Sequence, residues 1–177
     1  MKFTKEAARK RVLNCAKQYQ QNLLHKKLLI IFREKQDNSI RFIEVVFHER
    51  NYQHLTGLEL TNTEGKIPQH QSKNFYRKCI ENKLGLNDVD KVMGGVNFCL
   101  GLSRENDVFI PSSALLEDIK KLTFSPSQVL AIFEKDIDSE PYSTVKHVAK
   151  GLNLHHLILP PEISSKISLE HYVYRRK

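Results

Sequence analysis

Residues 28–32, Leu28-Leu29-Ile30-Ile31-Phe32, form an apolar run of strand length. The turn-prone Gln36-Asp37-Asn38-Ser39 follows, and then Ile40-Arg41-Phe42-Ile43-Glu44-Val45-Val46-Phe47-His48, rich in β-branched and aromatic side chains. Branched and aromatic side chains pack well on a pleated surface, and Asp, Asn and Ser suit tight turns, so this order predicts an antiparallel hairpin.

Upstream, Thr4 is placed to cap a helix over residues 4–25. Ala8, Val12, Cys15 or Ala16, Tyr19 and Leu23 recur at spacings of three and four, giving an apolar stripe flanked by Lys5, Arg9, Lys10 and Lys17. Downstream, Ser72 can cap a helix with Phe75, Tyr76, Cys79, Ile80 and Leu84 on its buried face and Gly85 at its end. Val108–Ile110 is expected as a strand, Pro111-Ser112-Ser113 as the opening of a short helix through Leu122, and Val129–Phe133 as a strand. Thr144–Leu152 suits a short helix or a strand, and Leu157–Leu159 is a further apolar segment; residues 87–97 show no clear period. This order predicts one α+β domain over residues 1–177, with a mainly antiparallel sheet and helices packed on one face. The basic N-terminal helix would pack on a core at 26–160, ahead of a short basic tail.

At 177 residues the chain suffices for one sizeable domain, and 40% hydrophobic with 27% charged residues fits a globular protein. Seven glycines and six prolines are too few for a fibrous or low-complexity chain. No apolar run approaches the roughly 18–20 residues of a membrane span, so no membrane partner is expected. The opening Met-Lys-Phe-Thr-Lys-Glu lacks the apolar stretch of a secretory signal. Cys15, Cys79 and Cys99, an odd and widely spaced set, read as reduced thiols. Both features point to the cytoplasm. Neither a metal nor a cofactor is called for.

The formal charge of +8 is concentrated. Residues 1–35 hold ten Lys or Arg against Glu6 and Glu34, while the rest of the chain balances. Arg175-Arg176-Lys177 adds a second cluster. Such a region is the footprint of a phosphate-backbone partner; the alternative is a solvated face that keeps the protein soluble.

Glu49-Arg50-Asn51-Tyr52-Gln53-His54-Leu55-Thr56-Gly57-Leu58 is the densest cluster of functional side chains. If it is an extended strand end, His54 and Thr56 point to one side, and Gly57 allows a turn or a close substrate approach. An imidazole can take or give a proton at a phosphodiester, and a hydroxyl can donate to a phosphoryl oxygen. The alternative is a His54 bonded to loop backbone and a Thr56 that caps a turn. Lys73 and Arg77, four apart, share a face of the helix after Ser72. A cation in the first turn opposes the helix dipole, which an anion bound by Ser72, the free amides and both cations would resolve. A solvated helix face is again the alternative. His48 reads as a partly buried sheet residue, and the remaining histidines show no ligand spacing that would force a metal.

Asn51-Tyr52-Gln53-His54-Leu55-Thr56-Gly57-Leu58, followed by Phe75-Tyr76-Arg77-Lys78-Cys79 and Val129-Leu130-Ala131-Ile132-Phe133, resembles the phage-encoded barnase/EndoU/colicin/RelE-like nucleases, fourth family, over about residues 20–155. The resemblance implies a metal-independent endoribonuclease of phage or mobile-element origin. In such an enzyme the RNA 2′-hydroxyl attacks its own phosphodiester and leaves a 2′,3′-cyclic phosphate. By position His54 would transfer the proton, Thr56 would donate to the phosphate, and Lys73 and Arg77 would stabilise transition-state charge. Asn51 and Tyr52 would contact substrate. Tyr76 would stack a base or help in proton transfer or, given its place on the apolar stripe, sit in the core. His147 is the candidate second histidine. Lys5, Arg9 and Lys10 would grip RNA, and a toxin-like role would call for an inhibitor or antitoxin protein. A non-catalytic module that binds nucleic acid or a protein partner through the same surface is the alternative.

Overall fold

The computed structural model describes residues 4, 6–7, 10, 14, 17–56, 89–96, 98–115, 117–123 and 126–168. In chain order the elements are a π-helical turn Tyr19–Leu23, β1 (Lys26–Arg33), β2 (Ile40–Val46), α1 (Glu49–Thr56), β3 (Lys91–Gly94), β4 (Cys99–Glu105) and β5 (Val108–Leu115). There follow α2 (Ile119–Leu122), β6 (Gln128–Asp136), β7 (Thr144–Val148), a 3₁₀ turn Leu154–His156 and α3 (Pro161–Ser164). They belong to two compact units: residues 1–25 with 47–124, and residues 26–46 with 125–177.

In the second unit β1 and β2 form the hairpin expected from residues 28–48, in register from Lys27 opposite Val46 to Arg33 opposite Ile40. Asp37 closes the turn: its Oδ1 accepts from Ser39 N at 3.0 Å and from Ser39 Oγ at 2.6 Å. Asn38 takes the left-handed conformation at φ 61°, which Asn tolerates better than most residues. β1 also pairs antiparallel with β6, and β6 with β7. Leu29 and Ile31 enter a core with Ala131, Phe133, Tyr142, Val145, Leu154 and Ile163. The intervening Leu28 and Ile30 are buried too. Burial on both faces explains why β1 reads as an unbroken apolar run instead of an alternation. The ambiguous stretch from Thr144 resolves as a strand to Val148.

In the first unit Thr4 caps the helix as expected, its Oγ1 accepting from Ala7 N at 3.2 Å. Positions 6, 7, 10, 14, 17 and 18 are helical. β3, β4 and β5 pair antiparallel in that order. The helix expected to open at Pro111 is corrected: Pro111, Ser112 and Ser113 lie inside β5. A helix starts only at Ile119, where the Asp118 carboxylate accepts from Lys120 N at 2.9 Å. Proline fits because the ladder is bulged there. Gly101 faces Ser113 and Leu102 faces Pro111, so Ser112 is the extra residue; its Oγ donates to the Gly101 carbonyl at 3.2 Å. The crossing is tight, since a Cβ on Gly101 would lie 2.9 Å from Val89 Cγ2.

The sheet is mixed, not mainly antiparallel, and the described helices α1–α3 are short. Periodicity reveals strands and the hairpins between sequence neighbours; the direction in which distant strands pair leaves no local mark. The helix expected from Ser72 to Gly85 and the basic tail lie outside the described residues. No described helix is long and apolar enough to cross a membrane.

Candidate active site

The segment that the spacing of His54 and Thr56 suggests is extended is instead helix α1, Glu49–Thr56. Two local features favour this. Residues 49–55 include no β-branched side chain, and Glu49 puts a carboxylate in the first turn, where the dipole favours it. The amides of Asn51 and Tyr52 donate to the His48 carbonyl at 3.2 and 3.3 Å. The same oxygen accepts from Tyr19 Oη at 2.7 Å. His48 itself is partly buried, just past the end of β2.

An aromatic cluster fixes the helix. Tyr19 meets Tyr52 edge-on with ring centroids 5.3 Å apart, and Phe47 at 5.2 Å. Tyr52 is 0% exposed and Asn51 is also buried, so neither offers a surface to a substrate here. Burying the aromatic body of Tyr52 contributes more than a solvent contact would. Asn51 Oδ1 has no hydrogen-bond partner among the described residues. Glu49 and Arg50 are exposed, and Arg50 pairs with Glu105.

At about 100° per residue, position 54 lies one turn beyond Arg50, while position 56 lies one turn beyond Tyr52. Positions 54 and 56 therefore do not share a side of the helix. Lys10 is helical and exposed. His147 is exposed on β7, opposite Ile132. Lys5, Arg9, Gly57, Ser72, Lys73, Tyr76 and Arg77 lie outside the described residues. Cys99 is free and buried; its Sγ donates to the Glu117 carbonyl at 3.3 Å, and burial pushes its thiol above the usual value. Among the described residues no group of three His, Cys, Asp or Glu could hold a metal ion.

The second unit carries a charged cluster that sequence reasoning missed. Glu44, its side chain 12% exposed, accepts from Lys166 Nζ at 2.9 Å, Tyr142 Oη at 2.7 Å and Lys27 Nζ at 3.2 Å. Burial alone would raise its carboxyl, but bonds from Lys166, Tyr142 and Lys27 outweigh this and hold it below the ordinary 4.5. Burial, aided by the bond to Glu44, pushes the Tyr142 phenol well above its usual range. The available clue was a lone carboxylate on a strand whose only other charged residue is Arg41, at the position facing Leu29.

The family described as phage-Barnase-EndoU-ColicinE5/D-RelE like nuclease4 matches residues 11–95. It is the family that residues 51–58 and 75–79 resemble, and both stretches lie inside the match. Val129–Phe133 lies beyond it, so the similarity starts and stops earlier than the expected span of residues 20–155. The match covers just under half of the chain and indicates a nuclease domain of this kind. No curated protein and no solved structure matched the chain.

Proposed function

We propose that the chain is a metal-independent endoribonuclease acting on cytoplasmic RNA, by attack of the 2′-hydroxyl on the adjacent phosphodiester, which breaks the P–O5′ bond, leaves a 2′,3′-cyclic phosphate and releases the next nucleotide as a 5′-hydroxyl. The observation that carries this is the nuclease-family match over residues 11–95, which takes in both α1 and the stretch from Ser72 to Arg77. His54 is the proton-transfer group, since an imidazole exchanges protons near neutral pH. Its position falls on the Arg50 side of α1, away from the side that Tyr52 buries.

Lys73 and Arg77 offset the charge that builds on the phosphorane, with Ser72 as a further phosphate donor. Thr56 is a further hydrogen-bond donor to a phosphoryl oxygen. Lys5, Arg9 and Lys10 hold the RNA backbone through salt-sensitive contacts. A toxin-like role follows if the activity is unrestrained, and an inhibitor protein would then be its partner.

The test is incubation of purified protein with single-stranded RNA in EDTA. Cleavage products ending in a 2′,3′-cyclic phosphate are expected. Salt-dependent RNA binding with no turnover would instead make the chain a non-catalytic binding module.

A further inference from the structure

A second group of cations belongs to the unit of residues 26–46 and 125–177 and has no role above. Lys27 and Lys135 are direct cross-strand partners in the β1–β6 ladder, an arrangement in which like charges repel. Lys166 joins them from the segment after α3, whose backbone is tied down where Tyr142 N donates to the Lys166 carbonyl at 2.9 Å. Glu44 binds Lys27 and Lys166 and takes its third bond from Tyr142. Three ammonium groups against Glu44 and the Glu140 carboxylate on Lys135 leave one positive charge in excess, and two once Glu140 leaves.

Lys135 carries the excess in an unusual way. Its side chain is 3% exposed, and its Nζ lies 4.9 Å from the centroid of the Tyr142 ring. Its ion-pair partner among the described residues is Glu140, whose own side chain is 77% exposed. A buried cation is thus closed off by a carboxylate reaching in from the exposed turn between β6 and β7. The two partners differ in what separation costs them. Glu140 regains water on leaving, as an exposed pair member does; Lys135 cannot stay buried without an anion. The Tyr142 ring, held by Glu44, keeps the ammonium in place whichever anion occupies it.

We propose that this cluster is a second phosphate subsite for the nucleic acid. A backbone phosphate oxygen takes the place of the Glu140 carboxylate on Lys135, Lys27 and Lys166 add to the positive field, and Glu140 is a displaceable plug. The choice of phosphate rests on the proposed RNA substrate; the exchangeable anion rests on the geometry alone.

The test is the affinity of a fluorescent 2′-O-methyl oligonucleotide of 12 nucleotides, which cannot be cleaved, read by anisotropy at fixed salt. Glu140→Gln removes the competitor and should tighten binding roughly fivefold, while Lys135→Met should weaken it about tenfold. Asp37→Asn and Arg41→Met impose the same charge changes on an exposed pair at the hairpin turn of the same unit. They should stay within about twofold of wild type, as screened surface charges do. Glu140→Gln matching Asp37→Asn, Lys135→Met matching Arg41→Met, or no binding by wild type would each overturn the subsite. RNA cleavage is assayed separately. Cleavage with matched controls removes only the subsite, whereas opposite shifts without cleavage remove only the enzymatic function.

Discussion

Only Phe47 and His48 separate the hairpin Lys26–Val46 from the helix Glu49–Thr56, yet the two segments follow different rules. In the hairpin every local cue agrees: branched and aromatic strands, an Asp37–Ser39 turn, and a left-handed Asn38. In the helix the cues conflict, because His54 and Thr56 stand at strand spacing while Glu49 and the unbranched residues between favour a helix. The conflict is settled by burial of Tyr52 against Tyr19. Their charges differ as well. Glu44 on the hairpin is nearly buried with three partners, whereas Arg50 on the helix forms an exposed pair with Glu105. Stability should therefore reside mostly in the hairpin, and chemistry in α1 and the chain beyond it.

The largest effect expected of the phosphate-binding cations sharpens the chemical half of that contrast. Lys73→Ala combined with Arg77→Ala should lower the RNA cleavage rate by about 10²–10³-fold without moving the thermal midpoint. A drop in the midpoint that matched the rate loss would return both residues to a structural role.

Leu29→Ala should do the reverse. It empties a fully buried site in the hairpin and should cost about 3 kcal/mol of unfolding free energy by urea titration, leaving the cleavage rate per folded molecule unchanged. Glu44→Gln weakens support for Lys27 and Lys166 and should cost about 2 kcal/mol. That cost should depend on pH. The Glu44 carboxyl lies below its ordinary 4.5 in the folded state, so its contribution is complete above the unfolded value and is lost as pH falls through the folded one. Urea midpoints of wild type and Glu44→Gln should differ by a constant amount above about pH 5 and converge in more acidic solution. Convergence toward higher pH would contradict the assignment. The smallest effect belongs to Arg50→Ala, whose solvent-exposed pair should contribute less than about 1 kcal/mol. A larger loss would erase the contrast between the two segments.

What the sequence made legible follows the same division. The hairpin, the Thr4 cap and β6 were readable because short-range propensity and burial agree there. Pro111–Ser113 misled because a proline followed by serines looks like a helix start, and nothing local announces the bulge at Ser112 that lets the strand continue. Periodicity likewise could not say that the sheet is mixed. At the site, residues 51–58 carried the family resemblance, but the side on which each one lies depends on period. Extended geometry pairs His54 with Thr56; helical geometry pairs it with Arg50. The Glu44 cluster escaped notice because Tyr142 and Lys166 lie about a hundred residues or more from Glu44.

The most direct measurement is the single-turnover cleavage rate of RNA in EDTA by wild type and by His54→Ala, with urea midpoints determined for both. A fall of about 10²–10⁴-fold at an unchanged midpoint is the predicted result. Equal rates from the two proteins would contradict the assignment of position 54 as the proton-transfer group.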